Sequence, residues 1–252
     1  MSPQHLVLSR EDNILHIRLN RPAKRNAIND GLLREIEACF DGLDASTTVV
    51  VLSGEGTHFC AGLDLSEHKA RSPFEVLQHS QWWHRVFHKI QFGGRPVVAA
   101  LQGAVVGGGL ELATSTHVRV AEPSTFYQLP EGQRGIFVGG GASVRVGKII
   151  GADRMTEMML TGRSYKAEEG QRIGLSHYVV EQGASLDEAF RLARQIATNA
   201  PLSNWACINA VAHIGDMSMA NGLFTESLTA ALTQSSDEAK HRMQEFLNRK
   251  KG

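Results

Sequence analysis

At 252 residues the chain is long enough to bury a large core without disulfides, and 42% hydrophobic with 21% charged residues is an ordinary globular balance. Twenty-six basic residues against 26 acidic ones leave no net charge, which argues against a nucleic-acid or anionic-membrane partner. Three scattered cysteines (Cys39, Cys60, Cys207) outline no disulfide framework, the start MSPQHLVLSRED lacks a secretory pattern, and the longest apolar run, Pro96 to Val106, is far short of the ~20 residues of a membrane span; a reducing, cytoplasmic setting is expected.

Residues 5–20 alternate in strand fashion around a polar Glu11-Asp12-Asn13 turn, which predicts a hairpin ended by Arg21-Pro22. Asn29 or Asp30 can cap a helix carrying Leu32, Leu33, Ile36 and Phe40 at helical spacing. Val49–Leu52 reads as a buried strand. Residues 74–90 read as a helix with Val76, Leu77, Trp83, Val86, Phe87 and Ile90 on its apolar stripe. Val97–Leu101 is a second buried strand, followed by a glycine cluster and Leu110-Glu111-Leu112-Ala113, and Val118–Ala121 is a third. Beyond Gly151 the pattern is mostly helical: Met155–Leu160, Ala167–Ile173, Leu186–Asn199, Asn204–His213, Leu223–Leu232 and Glu238–Lys250. An α/β core at 1–195 with a helical C-terminal region at 196–252 is expected, without a flexible linker between them.

The chemistry-bearing residues fall in three places: His58–Asp64, Gly107–Glu111 and Leu129–Gly132. Consecutive glycines at a loop–helix junction let backbone N–H groups approach a ligand, and a helix N-terminus favours developing negative charge there. Two such N–H groups aimed at one carbonyl oxygen would make an oxyanion hole. Tight turns and close helix–strand packing explain the same glycines equally well. Gly107–Leu112 and Gly139–Val144 both fail G-x-G-x-x-G at the last position, and neither a phosphate loop nor a G-x-S-x-G elbow occurs. Glu111 sits between Leu110 and Leu112, and Glu131 follows Pro130. Buried there, they would have raised pKa values suited to acid–base work; taken singly, each is also compatible with a structural or surface role.

Taken in order, Leu19-Asn20-Arg21-Pro22, Arg25-Asn26-Ala27, Phe59–Asp64, Gln102-Gly103, Gly107–Leu112, Pro130-Glu131, Leu160–Arg163 and Gly174-Leu175 resemble the crotonase (enoyl-CoA hydratase/isomerase) superfamily over nearly the whole chain. The resemblance implies an α/β spiral of ββα units with C-terminal helices that mediate trimer contacts, as a homotrimer or a dimer of trimers. It implies enoyl-CoA hydratase chemistry, the reversible syn addition of water to an α,β-unsaturated acyl-CoA, with no cofactor beyond the coenzyme A moiety of the substrate. It places the oxyanion donors on Ala61 and Gly108 and the acid–base pair on Glu111 and Glu131. It places the coenzyme A contacts at Lys24, Arg25, Ala27, Ala61, Gly62, Leu63, Asp64 and Gly108; for Lys24 and Arg25 a solvated charge pair is the competing reading.

Relatives of that superfamily that isomerise generally use one carboxylate near the Glu131 position, so the second, Glu111, favours hydration. Trp82-Trp83-His84 with Phe87–Ile90 also resembles a segment of 4-chlorobenzoyl-CoA dehalogenase, whose nucleophilic aspartate would align with Val138–Gly140, where no carboxylate stands. This segment either lines a pocket for a bulky or aromatic acyl group or is ordinary helix near the core. His84 and His88 share a helical face, but no H-E-x-x-H pattern or third ligand accompanies them, and no metal is expected. Val138 stands where a proline is common in the superfamily. A lyase or isomerase acting on a bulky acyl group, or a non-catalytic acyl-CoA-binding scaffold, are the alternatives to a hydratase.

Overall fold

The computed structural model describes residues 3–67 and 70–249. The expected hairpin is present: β1 (Leu6–Glu11) and β2 (Ile14–Leu19) pair antiparallel across a turn in which Asp12 takes a left-handed φ of 49°. α1 (Asp30–Asp41) begins where Asn29 Oδ1 accepts the Leu32 N–H at 2.8 Å, and it buries Leu32, Leu33, Ile36 and Phe40. β3 (Val49–Gly54) leads to α2 (Pro73–Phe92), opened by a Ser72–Glu75 capping box. Trp83, Val86, Phe87 and Ile90 are the buried stripe of α2. Val76 and Leu77 are half-exposed, because the first turns of the helix project beyond the core.

The chain then runs through β4 (Val97–Leu101), β5 (Ala104–Val106), α3 (Gly108–Thr114), β6 (Val118–Ala121) and β7 (Phe126–Gln128). It continues as α4 (Ala142–Ile150), α5 (Ala152–Thr161), β8 (Tyr165–Lys166), α6 (Ala167–Arg172), β9 (Tyr178–Val179) and α7 (Ser185–Ala197), then α8 (Pro201–Ile214), α9 (Met219–Gln234) and α10 (Asp237–Arg249). Lys250, expected to close the last helix, lies outside the described residues. The short strands β5, β7, β8 and β9 and the helix α4 are additions to the sequence pattern; at two or three residues these strands give no usable period-2 signal.

Six strands form one sheet in the order β1-β2-β3-β4-β6-β9, and β5-β7-β8 form a second. The recurring unit is a strand of the large sheet, then a strand of the small sheet, then a helix: β4-β5-α3, and β6-β7 ahead of α4. After β3 the single parallel bridge Cys60–Val105 takes the place of the small-sheet strand. β3 and β4 are buried on both faces, as their unbroken apolar runs demand. Val50, Leu52, Val97, Ala99 and Leu101 face the main core, whereas Val49, Val51, Val98 and Ala100 pack under Ala189, Leu192 and Ala193 of α7.

After α7 the chain leaves the sheet. α8 packs on α2 and on α9, and α10 on α9. These helices leave Val211, Met219, Leu223, Phe224 and Leu228 exposed. Among the described residues no helix is long and apolar enough to cross a membrane.

Candidate active site

The small sheet brings together the three segments singled out in the sequence. Cys60 N donates to Ala104 O at 2.9 Å and Val106 N to Cys60 O at 3.1 Å, which fastens the 58–63 loop to β5. Gly107 N donates to Gln128 O at 2.9 Å, fastening the next loop to the end of β7. Residues 62–63, 107–108, 111 and 131 therefore emerge side by side and line one solvent-open pocket, together with Trp83, Val76, Ile136, Phe137 and Gly140. Gly107 is required at its place. Its φ is +53°, and a Cβ there would come within 2.8 Å of Glu131 Oε1.

The free backbone N–H groups on the wall differ from the expected oxyanion pair in one member. The Ala61 N–H donates to Arg25 O at 3.0 Å and is not available to a ligand, and Ala61 is not on the pocket wall. Two residues on, Leu63 pairs with Ile28 through its neighbours (Ile28 N to Gly62 O, Asp64 N to Ile28 O), which leaves its own N–H without a partner. The Gly108 N–H, in the first turn of α3, likewise has none. Leu63 N lies 3.4 Å from the point where a Cβ on Gly108 would sit, so the two free donors are neighbours. The unpartnered N–H groups that meet at the pocket are thus those of Leu63 and Gly108. Left-handed Arg25 and Asn26 (φ 51° and 56°) bend the 21–28 turn so that the Arg25 carbonyl meets Ala61.

Both glutamates reach the pocket as expected. Glu111, in the first turn of α3, is 4% exposed. Its Oε1 accepts the N–H groups of Gly140 at 2.7 Å and Ala142 at 3.0 Å, at the start of α4. Burial raises its pKa; the Ala142 and Gly140 N–H groups and the nearby Arg145 charge oppose the rise. Arg145 is itself fixed by bonds to Gln91 Oε1 at 2.7 Å and Gly140 O at 3.1 Å. Glu131 is 8% exposed, and its Oε2 has no hydrogen-bond partner. Burial, with a further contribution from the Glu111 charge, lifts its pKa from 4.5 to about 7.

The residues expected to hold coenzyme A divide. Gly62, Leu63 and Gly108 line the pocket; Lys24, Arg25, Ala27, Ala61 and Asp64 do not. The Asp64 carboxylate is occupied by Arg21 at 2.9 Å and by the Ser66 N–H and hydroxyl at 3.0 and 2.6 Å, so it latches the loop rather than presenting itself to a ligand. The Ala27 carbonyl accepts from Arg21 Nη1. Lys24 Nζ donates to Ser66 Oγ at 3.0 Å, and Lys24 and Arg25 are exposed beside that loop.

Three structural contributions were not read from the sequence. Buried Asn26, so far only a member of the Arg25-Asn26-Ala27 motif, donates to Glu55 O at 2.9 Å and His58 O at 2.7 Å, pinning the 58–63 loop from a left-handed φ that asparagine tolerates. The N–H groups of Gly140 and Ala142, which hold Glu111, come from a glycine-rich stretch in which the sequence showed only a failed nucleotide motif and no carboxylate at Val138–Gly140. Trp83 is 5% exposed in the core cluster, and its ring also forms part of the pocket wall. His84 and His88 line a separate cleft with Arg145, Lys148 and His213.

The enoyl-CoA hydratase/isomerase family model matches residues 9–252. The chain belongs to that family. A solved structure from Rhodopseudomonas palustris CGA009, provisionally described as an enoyl-CoA hydratase, is 51% identical and superposes with a TM-score of 0.97, covering 99% of this chain and 97% of that one. The crotonase α/β fold expected from the sequence is therefore the fold of the molecule. Among relatives, this hydratase/isomerase family member is 32% identical to the 2,3-dehydroadipyl-CoA hydratase of Escherichia coli (strain K12), covering 97% of this chain and 96% of that protein. It is 31% identical to the mitochondrial Delta(3,5)-Delta(2,4)-dienoyl-CoA isomerase of Homo sapiens, covering 93% and 76%. The family is thus fixed, and its named members both hydrate and isomerise.

Proposed function

We propose that the protein is an enoyl-CoA hydratase that adds water, syn and reversibly, across the double bond of an α,β-unsaturated acyl-CoA. The observation that carries this reading is the convergence of two buried carboxylates, Glu111 and Glu131, on a pocket whose wall also offers two unpartnered N–H groups. Leu63 and Gly108 donate to the thioester oxygen as it gains enolate character, and removal of one such donor typically costs about 100- to 1000-fold in rate. Glu111, oriented through Oε1, takes a proton from the water that attacks the β-carbon, and Glu131 supplies the α-proton. Every step is a proton transfer or a carbon–oxygen bond change, so the reaction draws on no cofactor beyond the coenzyme A moiety of the substrate.

Isomerisation is the competing reading, supported by the dienoyl-CoA isomerase among the relatives. The exposed apolar side chains of α8 and α9 support self-association, with a homotrimer or dimer of trimers as the proposed assembly and a mass measurement in solution as its check. No net charge supports the expected absence of nucleic-acid and membrane partners, and a cytoplasmic setting remains part of the proposal. The deciding experiment is hydration of crotonyl-CoA, followed as loss of the conjugated thioester absorbance, by wild type and Glu111→Gln. The variant is expected to lose about 10²- to 10⁴-fold in kcat. Near wild-type turnover would overturn the assignment, as would isomerisation of a 3-enoyl thioester without hydration.

A further inference from the structure

We infer that Trp83 makes the site selective for linear enoyl thioesters and excludes a branch at the α-carbon; the inference rests on the hydratase reading above. The benzo edge of Trp83 stands against the two backbone points that frame the reaction. A Cβ on Gly108, which carries one oxyanion donor, would sit 2.8 Å from Trp83 Cζ3. A Cβ on Gly140, whose N–H holds Glu111, would sit 3.0 Å from Trp83 Cε3. The ring therefore spans the interval between the thioester oxygen's donor and the catalytic base. That is the interval in which the α- and β-carbons must lie.

The ring has little freedom to withdraw. It packs edge-on against Phe87 at 5.5 Å and His79 at 6.2 Å between centroids and belongs to the buried core. A methyl branch on the α-carbon would have to displace a packed tryptophan. Beyond Trp83 the wall continues as Val76, Ile136, Phe137 and Leu65, all apolar, so a linear tail can follow it outward.

The test compares crotonyl-CoA and 2-methylcrotonyl-CoA on wild type, Trp83→Phe and Trp83→Leu, with the saturated thioesters butyryl-CoA and 2-methylbutyryl-CoA as binding probes. Wild type is expected to favour crotonyl-CoA over its 2-methyl analogue by at least about 10-fold in kcat/KM, the effect of one methyl in a closed apolar pocket. Both variants are expected to narrow the linear-to-branched ratio about 10-fold, and the Kd ratio of the saturated pair is expected to move the same way. An unchanged Kd ratio in variants that retain the wild-type circular dichroism overturns the role of Trp83. A wild-type preference for the branched thioester overturns the selectivity. Failure of wild type to hydrate either substrate removes the hydratase reading alone, because the saturated thioesters still measure acyl selection without any turnover.

Discussion

Replacing Glu131 with glutamine removes a carboxyl group that the fold holds in the wrong charge state above neutral pH, so the variant should lose activity while gaining stability. The side chain is 8% exposed, Oε2 has no partner, and burial lifts its pKa from 4.5 to about 7. Because the folded pKa is the higher one, the folded state binds this proton more tightly. The stabilisation is complete below about pH 4.5 and is lost as pH rises through about 7. At about 1.36 kcal/mol per pKa unit the difference comes to about 3 kcal/mol at pH 8, fading to below about 1 kcal/mol by pH 5. Glutamine has the same shape and no charge to bury. Guanidinium unfolding of the two proteins at matched concentration should therefore show Glu131→Gln more stable by about 3 kcal/mol at pH 8 and nearly level at pH 5. Thermal melts should follow at about 2–4 °C per kcal/mol for a chain of this size. Equal stability at pH 8, or a less stable variant, would show that Glu131 ionises without penalty and would remove the basis for its role as proton donor.

Three further outcomes follow from the same geometry. In wild type, kcat/KM for hydration should fall as pH rises through about 7, the direction set by the need for a protonated Glu131, and an alkaline limb well above that value would contradict the assignment. Gly140→Ala places a methyl 2.6 Å from Glu111 Oε2 and 3.0 Å from the Trp83 ring. It should lower kcat and cost about 1–3 kcal/mol in unfolding free energy, an overpacking effect read by denaturant titration. Arg21→Leu strands the Asp64 carboxylate, whose side chain is 4% exposed, and should destabilise by about 3–5 kcal/mol; a loss under about 1 kcal/mol would show that the latch is not the buried pair it resembles.

The legible part of the fold was the part with strong periodicity. The hairpin, the capped α1, the doubly buried β3 and β4 and the amphipathic α7 announce themselves through period 2, period 3.6 or unbroken apolar runs. The small sheet does not. Its strands are two or three residues long, and their burial comes from neighbours far away in sequence, yet this sheet is what gathers the site. The two glutamates were legible because a family motif marks their spacing. The donor opposite Gly108 was misplaced by two residues, at Ala61 rather than Leu63, because which N–H is free depends on one tertiary bond, Ala61 N to Arg25 O. A string of residues does not display that bond.

Two buried carboxylates in one pocket repel each other, and the fold resolves the conflict by treating them unequally. Glu111 receives two N–H donors from the start of α4 and has Arg145 nearby, all of which favour its charged form. Glu131 receives no partner at Oε2 and feels the Glu111 charge, both of which favour its protonated form. In the proposed hydration the proton shared by the pair starts on Glu131. On that reading, as water adds, the proton passes to the α-carbon while Glu111 acquires one from the attacking water. The proposed reverse step starts from this state, with the proton on Glu111, so both directions draw on the same singly protonated pair. The glycines at 107, 108 and 140 let this arrangement fit, since a Cβ at any of them would strike Glu131, Trp83 or Glu111. What looked in the sequence like turn chemistry is the clearance that two carboxylates and an indole need to share one wall.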